Sequence, residues 1–580
     1  MSQQPSVRGK SWAPADQRDV EGVAGVPAFV AGIAAARGVG DLDTYFRPRL
    51  AGVLPPPSAL RDMPAVVDAI CGAVEARSTV GIIGDYDVDG ATSTAMLVRT
   101  LGAVGAGRVE WRIPERLSDG YGPNDRLVSE LCGDCGAGLL LVLDSGTSAP
   151  GPIALARSMG ATVAVVDHHE PGGHLPDCLL VNPKRKDEDG TLAHLCTAGL
   201  AFILCVGIVA RLRERGWFAK AGLTEPDLRP LLGLAALGTV ADVVPLLGVN
   251  RAYVALGMRR VAENEGLSAL MDATGEQSAT PTVCGFVLGP CLNAAGRIAD
   301  MRESVDLLVT ADRARAADIA ERLALLNKER REIQRAATEQ AFIQVGASGQ
   351  LDRPGPIVVR DENWHPGVVG LVASKLREAY DRPAAVIGGG GKGSARSVEG
   401  FDVGGAVIAA AGAGILEKGG GHHAAAGFTC PEGSTQAFLS HMQAAMRGFV
   451  PVPVPVDVEA EPGDPEPEHV EAMAAMAPFG MGNPRPRVAL FGGLLRKVEV
   501  IKGKHVKAWL LGGGGETTLM VFNGVGTPVG DALAAAQGRY ADVLGTLDVS
   551  EFRGNTTAYL KVEDLRLLHE AGQVAGQAAA

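Results

Sequence analysis

The stretch from Gly81 to Thr94, GIIGDYDVDGATST, restricts this chain more than any other. Val80 to Ile83 reads as a buried strand, and it runs into three alternating carboxylates, Asp85, Asp87 and Asp89. Gly90 permits a sharp turn, and Ala91 to Leu101 has helical composition. Carboxylates at i, i+2 and i+4 just past a strand gather negative charge at the carboxyl end of a sheet, which suits divalent cations with oxygen ligands. An EF-hand loop also opens D-x-D-x-D-G. Its twelfth position needs a bidentate Glu and is Met96 here, and a strand rather than a helix precedes it. A solvated acidic turn is the remaining reading of three acids alone.

Other strand ends decide against that reading. Leu139 to Leu143 stops at Asp144-Ser145-Gly146, and Thr162 to Val166 stops at Asp167-His168-His169. Val109 to Ile113 reads as a further strand. Short β runs separated by helical patterns predict a parallel sheet with βαβ crossovers, whose strand ends converge on one crevice. A fourth acid, Asp242, lies in GTVADVVPL. Singly, each acid is a good helix cap. Together, Asp87, Asp89, Asp144, His168 and Asp242 are hard-oxygen ligands with one imidazole, a set that prefers Mn²⁺ or Mg²⁺ to zinc.

Length and composition fix the setting. A chain of 580 residues exceeds one core and predicts three or four domains. A net charge of −12 argues against a basic coat but leaves room for a local basic groove. Nine cysteines lie scattered, and Cys132-x-x-Cys135 has no second pair to complete a zinc site, so a reduced cytoplasm is expected. The opening residues lack the apolar core of a secretory signal. Ala198 to Ala210, the most apolar stretch, is too short to span a bilayer and predicts a buried helix, with no membrane association.

The four acid-bearing stretches, Asp85 to Gly90, Asp144 to Gly146, Asp167 to His169 and Gly238 to Asp242, resemble the four motifs of the DHH phosphoesterase superfamily. Asn363 to Gly370 with Val372 to Leu376 resembles its fifth motif. Gly393 to Ser397, Gly419 to His422 and Ala425 to Gly427 resemble the attached DHHA1 domain. Order and content, over roughly residues 50 to 565, match the RecJ branch, the single-strand-specific 5′→3′ DNA exonucleases. The implied fold is α/β: a parallel-sheet DHH domain joined by a long helix to a smaller α/β DHHA1 domain, followed by an OB-type β-barrel. Expected segments are a leader with a small helical part (1–60), the DHH domain (61–290), connecting helices (291–345), the DHHA1 domain (346–450), a Pro- and acid-rich linker (451–468), the barrel (469–570) and a disordered tail (571–580).

The long charged pattern from Ser304 to Val345, preceded by Asn293 to Arg297, reads both as a salt-bridged connector and as a basic path for a phosphate backbone, with Arg297 at its head. Arg396, between Ser394 and Ser397 on a Gly-rich turn, suits bidentate grip of a terminal phosphate. By resemblance, Ser394, Arg396 and Arg116 hold the 5′-phosphate, and His422 faces the scissile phosphate. Tyr121 offers a stacking face for a base. Arg496, Lys497, Lys502, Lys504 and Lys507 make the early barrel locally basic, with few aromatics for stacking. Pro478-Phe479-Gly480-Met481-Gly482-Asn483-Pro484, within the barrel segment, precedes its β-like runs.

The expected chemistry uses two Mn²⁺ or Mg²⁺ ions bridged by Asp144, with Asp87 on one and Asp89, His168 and Asp242 on the other. Asp85, Asp167 and His169 are assigned to support, by orienting ligands or touching the phosphate. Ile83, where many superfamily members carry His, fits the RecJ branch. Ser145 replaces a more usual Asn or Cys, Cys291 stands where a basic residue is common, and His423 replaces a common small residue. The resemblance implies a monomer acting on single-stranded DNA beside a helicase and a single-strand-binding protein. Two rival expectations are a DHH/DHHA1 phosphodiesterase for short oligonucleotides or cyclic dinucleotides, and a non-catalytic DNA-binding relative.

Overall fold

The computed structural model describes residues 6–568 apart from 17, 19, 21, 116–118, 299 and 553. Arg116 and the expected tail therefore lie outside the described residues. The chain forms two compact units, one of residues 43–330 with 478–484, the other of residues 1–42, 331–477 and 485–580.

The first unit is built on five parallel strands in the spatial order Val109–Arg112, Val80–Ile83, Leu139–Leu143, Thr162–Val166, Leu179–Val181. The central strands Val80–Ile83 and Leu139–Leu143 are buried along their whole length, as a sheet covered on both faces requires. From Val80–Ile83 the chain crosses to one side for Val109–Arg112, then to the other for Leu139–Leu143. Strand order thus reverses where Ile83 pairs with Val142, and a crevice opens there at the carboxyl ends. The apolar stretch after Cys196 is a buried helix, Thr197–Glu214, with Arg211 and Arg213 in its last turn. Among the described residues no helix is long and apolar enough to cross a membrane.

The charged pattern from Ser304 to Val345 falls in two helices, the second of them the long one. Arg302–Val309 ends before Asp312, whose carboxylate accepts from the backbone N–H of Ala314 at 2.9 Å and Arg315 at 3.3 Å and so caps Arg313–Ala347. The early part of that second helix buries Ala316, Ile319, Ala320 and Leu323 in the first unit's core, and its last turns bury Ala337, Ala341 and Val345 in the second's.

The second unit holds a mixed sheet ordered Lys418–His422, Ala425–Thr429, Lys392–Arg396, Ala384–Ile387, Ile357–Arg360. Arg396 ends a strand here, where the Gly-rich sequence suggested a turn; Gly393 gives up its side chain to the ring of Phe428 and the run stays extended. The barrel closes because the long strand Arg487–Ile501 bends at two register shifts and pairs with both His505–Gly512 and Tyr540–Phe552. Gly515–Val521 runs parallel to Asn555–Leu568, which completes the ring.

The 451–468 segment, expected to be a linker, is paired. In its Val-Pro alternation the valines keep their N–H groups. Val454 and Val456 donate to the carbonyls of Ser11 and Ala13 at 2.9 and 3.1 Å, and the prolines fall where no donor is needed. The described start of the leader is paired in the same way. Trp12 is buried, donates from Nε1 to Asp564 Oδ2 at 3.1 Å, and carries the Arg566 guanidinium 4.0 Å from its ring centre.

Candidate metal centre

The strand Val80–Ile83 delivers its three acids into distinct environments. Asp87 caps the helix Val88–Ala103, its Oδ1 accepting from the N–H groups of Asp89 and Gly90 at 3.0 and 3.2 Å. Asp89, one turn in, is buried and points at the start of the helix Thr197–Glu214. Its Oδ2 accepts from Thr197 N and its Oδ1 from Ala198 N, both at 2.7 Å. Two helix N-termini thus hold two carboxylates, where the helix dipole favours negative charge. Gly90 is required because a Cβ there would lie 2.6 Å from Asp85 N.

Asp144 follows Leu139–Leu143 with φ +63°, a left-handed conformation that Asp tolerates better than most residues and that turns its carboxylate back over the sheet edge. Asp144 Oδ1 accepts from the Thr197 hydroxyl at 3.0 Å. Asp242 ends the helix Leu232–Ala241 rather than a strand.

His168 Nε2 is buried without a hydrogen-bond partner. It lies 3.7 Å from Asp89 Oδ2, 3.5 Å from Asp144 Oδ1 and 3.6 Å from Asp242 Oδ2. These separations are too long for hydrogen bonds and match donor atoms arranged to share one cation. Burial and the neighbouring His169 push the His168 pKa down to about 3, so it is neutral, the form that ligates metal. Burial, then the charge of Asp87, raises Asp89 to about 6. Burial and the charge of Asp89 likewise raise Asp144 and Asp242. Three crowded carboxylates around an orphaned imidazole nitrogen fit a divalent cation, which would relieve the repulsion.

A second cluster, Asp85, Asp87 and Asp144, has carboxylate oxygens within 4.8 Å of one another. Asp144 belongs to both clusters. Cys196 also approaches Asp89 and Asp242, but burial and the charge of Asp89 raise its thiol well above the usual value, so no thiolate is offered at neutral pH. Cys132 and Cys135 join no such cluster among the described residues.

Asp167 organises the third wall. Its Oδ1 accepts from His168 N, His169 N and His169 Nδ1 at 2.8, 3.1 and 2.8 Å, and its Oδ2 from Thr147 N at 3.1 Å. Burial alone would raise this carboxyl, but the His169 imidazole and these donors outweigh it and hold it well below the usual range. His169 itself is raised: burial opposes its charge, and the bond to Asp167 wins. The Tyr121 hydroxyl donates to the Asp144 carbonyl at 2.9 Å, while half of the residue stays exposed beside His169. Arg297 lies on the helix Gly289–Ile298, which abuts motif I through Gly296 at the Tyr86 carbonyl.

In the second unit, Ser394, Arg396 and His422 share one sheet. Arg396 donates from Nη1 to Ser394 Oγ at 2.7 Å. Arg396 pairs with Ala425, which pairs with His422, so Arg396 and His422 stand on one face, two strands apart. On the barrel, Trp509 lies between Lys497 and Lys507, with ammonium groups 5.0 and 4.5 Å from its ring centre. Phe522 stands beside Tyr559, His505 and Lys561. The aromatics, sparse in the sequence, are gathered where the lysines are, while Arg496 and Lys497 are partly neutralised by Glu516 and Glu499.

Sequence reasoning missed Thr197, Cys196 and Thr147. All are uncharged, and only the helix starting at Thr197 brings the first two to the acids.

Comparison with known proteins agrees with this geometry. Residues 79–239 match the DHH family N-terminal domain, 354–448 the DHHA1 domain and 456–564 the RecJ OB domain. A single-stranded-DNA-specific exonuclease RecJ of Dickeya dadantii is 33% identical over 93% of this chain and 96% of its own length. The crystal structure of a Thermus thermophilus RecJ in complex with Mn²⁺ superposes with a TM-score of 0.77 at 28% identity, covering 97% of this chain and 79% of the other. The same protein in complex with Mg²⁺ gives 0.71, again at 28% identity, over 97% and 78%.

Proposed function

The chain belongs to the RecJ family, and from that premise we infer that it is a metal-dependent exonuclease that hydrolyses single-stranded DNA from the 5′ end, releasing 5′-mononucleotides in DNA recombination and repair. The observation that carries this reading is Asp144, shared by both donor clusters. Asp89, Asp144, His168 and Asp242 would hold one ion, and Asp87 and Asp144, with Asp85 beside them, the other. When bound, two Mn²⁺ or Mg²⁺ ions supply positive charge for the developing phosphoryl oxyanion and acidify the attacking water.

The chain's own residues do the rest. Thr197 and Ala198 fix the Asp89 carboxylate, and Thr197 also fixes Asp144, so little reorganisation is needed when substrate arrives. Asp167 accepts the Nδ1–H of His169 and favours its charged form, whose Nε2–H donates to a phosphate oxygen. Arg396, steadied by Ser394, grips the 5′-phosphate, which the family resemblance also assigns to Arg116, and Arg297 adds positive charge along the backbone. His422 faces the scissile phosphate. Tyr121 stacks a base, and Trp509 and Phe522, ringed by lysines, carry the strand beyond the site.

The enzyme acts as a monomer in the cytoplasm. A helicase would supply its unpaired strand, and a single-strand-binding protein would keep that strand open.

The test uses 5′-phosphorylated single-stranded DNA and its hairpin counterpart, each 3′-labelled, with Mn²⁺ or EDTA, for the wild type and Asp144→Ala. Metal-dependent shortening from the 5′ end of the single strand alone, absent in the variant, is expected. Activity confined to substrates of a few nucleotides would replace this reading with a short-oligonucleotide phosphodiesterase. Binding without cleavage in any metal would leave a DNA-binding scaffold.

A further inference from the structure

The loop Pro478–Pro484 belongs to the unit that carries the metal centre, and it holds the turn that follows Asp242. Val243 has φ +59° and is mostly exposed. A β-branched residue in the left-handed region is a genuine outlier that persists only where its surroundings over-determine it. Val243 is the first residue past the cap of the helix Leu232–Ala241, a position that favours a left-handed turn, and its N–H reaches the Val240 carbonyl at 3.3 Å. Its exposed side chain adds little hold, and the next residues supply the rest. Leu246 donates its N–H to the Met481 carbonyl at 2.7 Å. Its side chain is buried with Ala236 and Val254. The Pro245 carbonyl accepts from Asn250 Nδ2 at 3.0 Å.

The loop is itself fixed so that Met481 presents that carbonyl. Gly480 and Asn483 exchange backbone hydrogen bonds of 3.0 and 3.1 Å. Asn483, almost fully buried, donates from Nδ2 to the Pro478 carbonyl at 2.8 Å and accepts at Oδ1 from the Tyr45 hydroxyl at 2.9 Å. Arg251 lies 3.8 Å from the Tyr45 ring centre and donates to the carbonyls of Tyr45 and Pro478 at 2.9 and 3.4 Å. Gly482, at φ +71°, lets the loop press on Pro245, where a Cβ would come within 3.0 Å of the proline ring.

We propose that residues 478–484 position the Asp242 carboxylate for metal binding, with Asn483 and Tyr45 as positioning residues acting through Leu246 and the strained Val243. This rests on the reading of Asp242 as a ligand. Asp242 itself keeps helical torsions, with its N–H on the Gly238 carbonyl at 2.9 Å. The loop fixes the chain that leaves it, and freeing that chain lets the turn relax and draw the carboxylate away from His168 and Asp89.

The test is Mn²⁺ titration by calorimetry on the full chain for the wild type, Asn483→Ala, Tyr45→Phe and Asp242→Ala. It is paired with the melting temperature in chelator and with the Mn²⁺ dependence of single-strand hydrolysis. Asn483→Ala and Tyr45→Phe are expected to weaken Mn²⁺ binding about 10-fold, and excess Mn²⁺ should restore their rates. Tyr45→Phe, which removes one hydroxyl, should keep the chelated melting temperature and carries the test if Asn483→Ala does not fold. Wild-type Mn²⁺ affinity in the folded loop variants, with a loss in Asp242→Ala, would overturn the inference and leave the metal reading standing. Unchanged affinity in Asp242→Ala would overturn both.

Discussion

The Thr197 hydroxyl donates at 3.0 Å to Asp144 Oδ1, the same oxygen that stands 3.5 Å from His168 Nε2. Through its backbone N–H the same residue holds Asp89, so one helix N-terminus sets two carboxylates. Thr197→Val removes the hydroxyl and keeps the N–H. It should weaken Mn²⁺ binding roughly 10-fold and slow hydrolysis, with partial recovery at high Mn²⁺. Unaltered Mn²⁺ titrations would refute this role for the hydroxyl.

The metal-free fold should respond to acid in an unusual sense. Asp89 is raised from 3.8 to about 6, and Asp144 and Asp242 are raised with it. A carboxyl that binds its proton more tightly folded than unfolded adds stability that is lost as pH rises through the folded value and complete below the unfolded one. The depressed His168 imidazole works in the opposite sense, so in His168→Gln, which removes it, the chelated protein should melt higher at about pH 5.5 than at about pH 7.5. Mn²⁺ needs the deprotonated ligands, so its stabilising effect should shrink over the same descent. In His168→Gln, a chelated melting temperature that falls steadily with acid across that window would contradict this account.

Arg396 and Ser394 should govern recognition of the strand end and leave metal binding alone. Arg396→Lys keeps the charge but loses the planar fork. The rate advantage of 5′-phosphorylated over 5′-hydroxyl single strands should shrink, with Mn²⁺ affinity at the wild-type level. Equal loss on both substrates would mean that the arginine does not read the phosphate.

On the barrel, Trp509→Ala should cost about 1–3 kcal/mol of single-strand affinity, read by fluorescence anisotropy in chelator on a long oligonucleotide. Hydrolysis of very short strands should be spared. If long and short substrates weaken alike, the Trp509 face is not part of the path.

Much of the first unit was legible because its candidate ligands are charged and all but Asp242 lie at or just past strand ends. A run such as LLLVLDSG announces both strand and acid, and the spacing of Asp85, Asp87 and Asp89 survives any detail of packing. Thr197 was not legible: a threonine after a cysteine carries no signal until the helix that begins there is laid against motif I. Pro451 to Glu468 misled for the opposite reason. Its composition is that of a solvated linker, and only the alternation of valine donors with prolines, matched to Ser11 and Ala13, makes it a strand. Trp12 had no local pattern at all, since its partner Asp564 is 552 residues away.

That separation has a consequence for how the chain is made. Synthesis proceeds at roughly 5–20 residues per second, so Trp12 waits on the order of a minute for its partner to emerge. The parallel sheet and its covering helices, from 43 to 330, are complete well before then, whereas the barrel cannot enclose Trp12 until Asp564 arrives. Translation stalled in the final strand would leave a chain whose parallel sheet is folded while its tryptophan is still unburied, a species suited to capture by chaperones and to proteolysis.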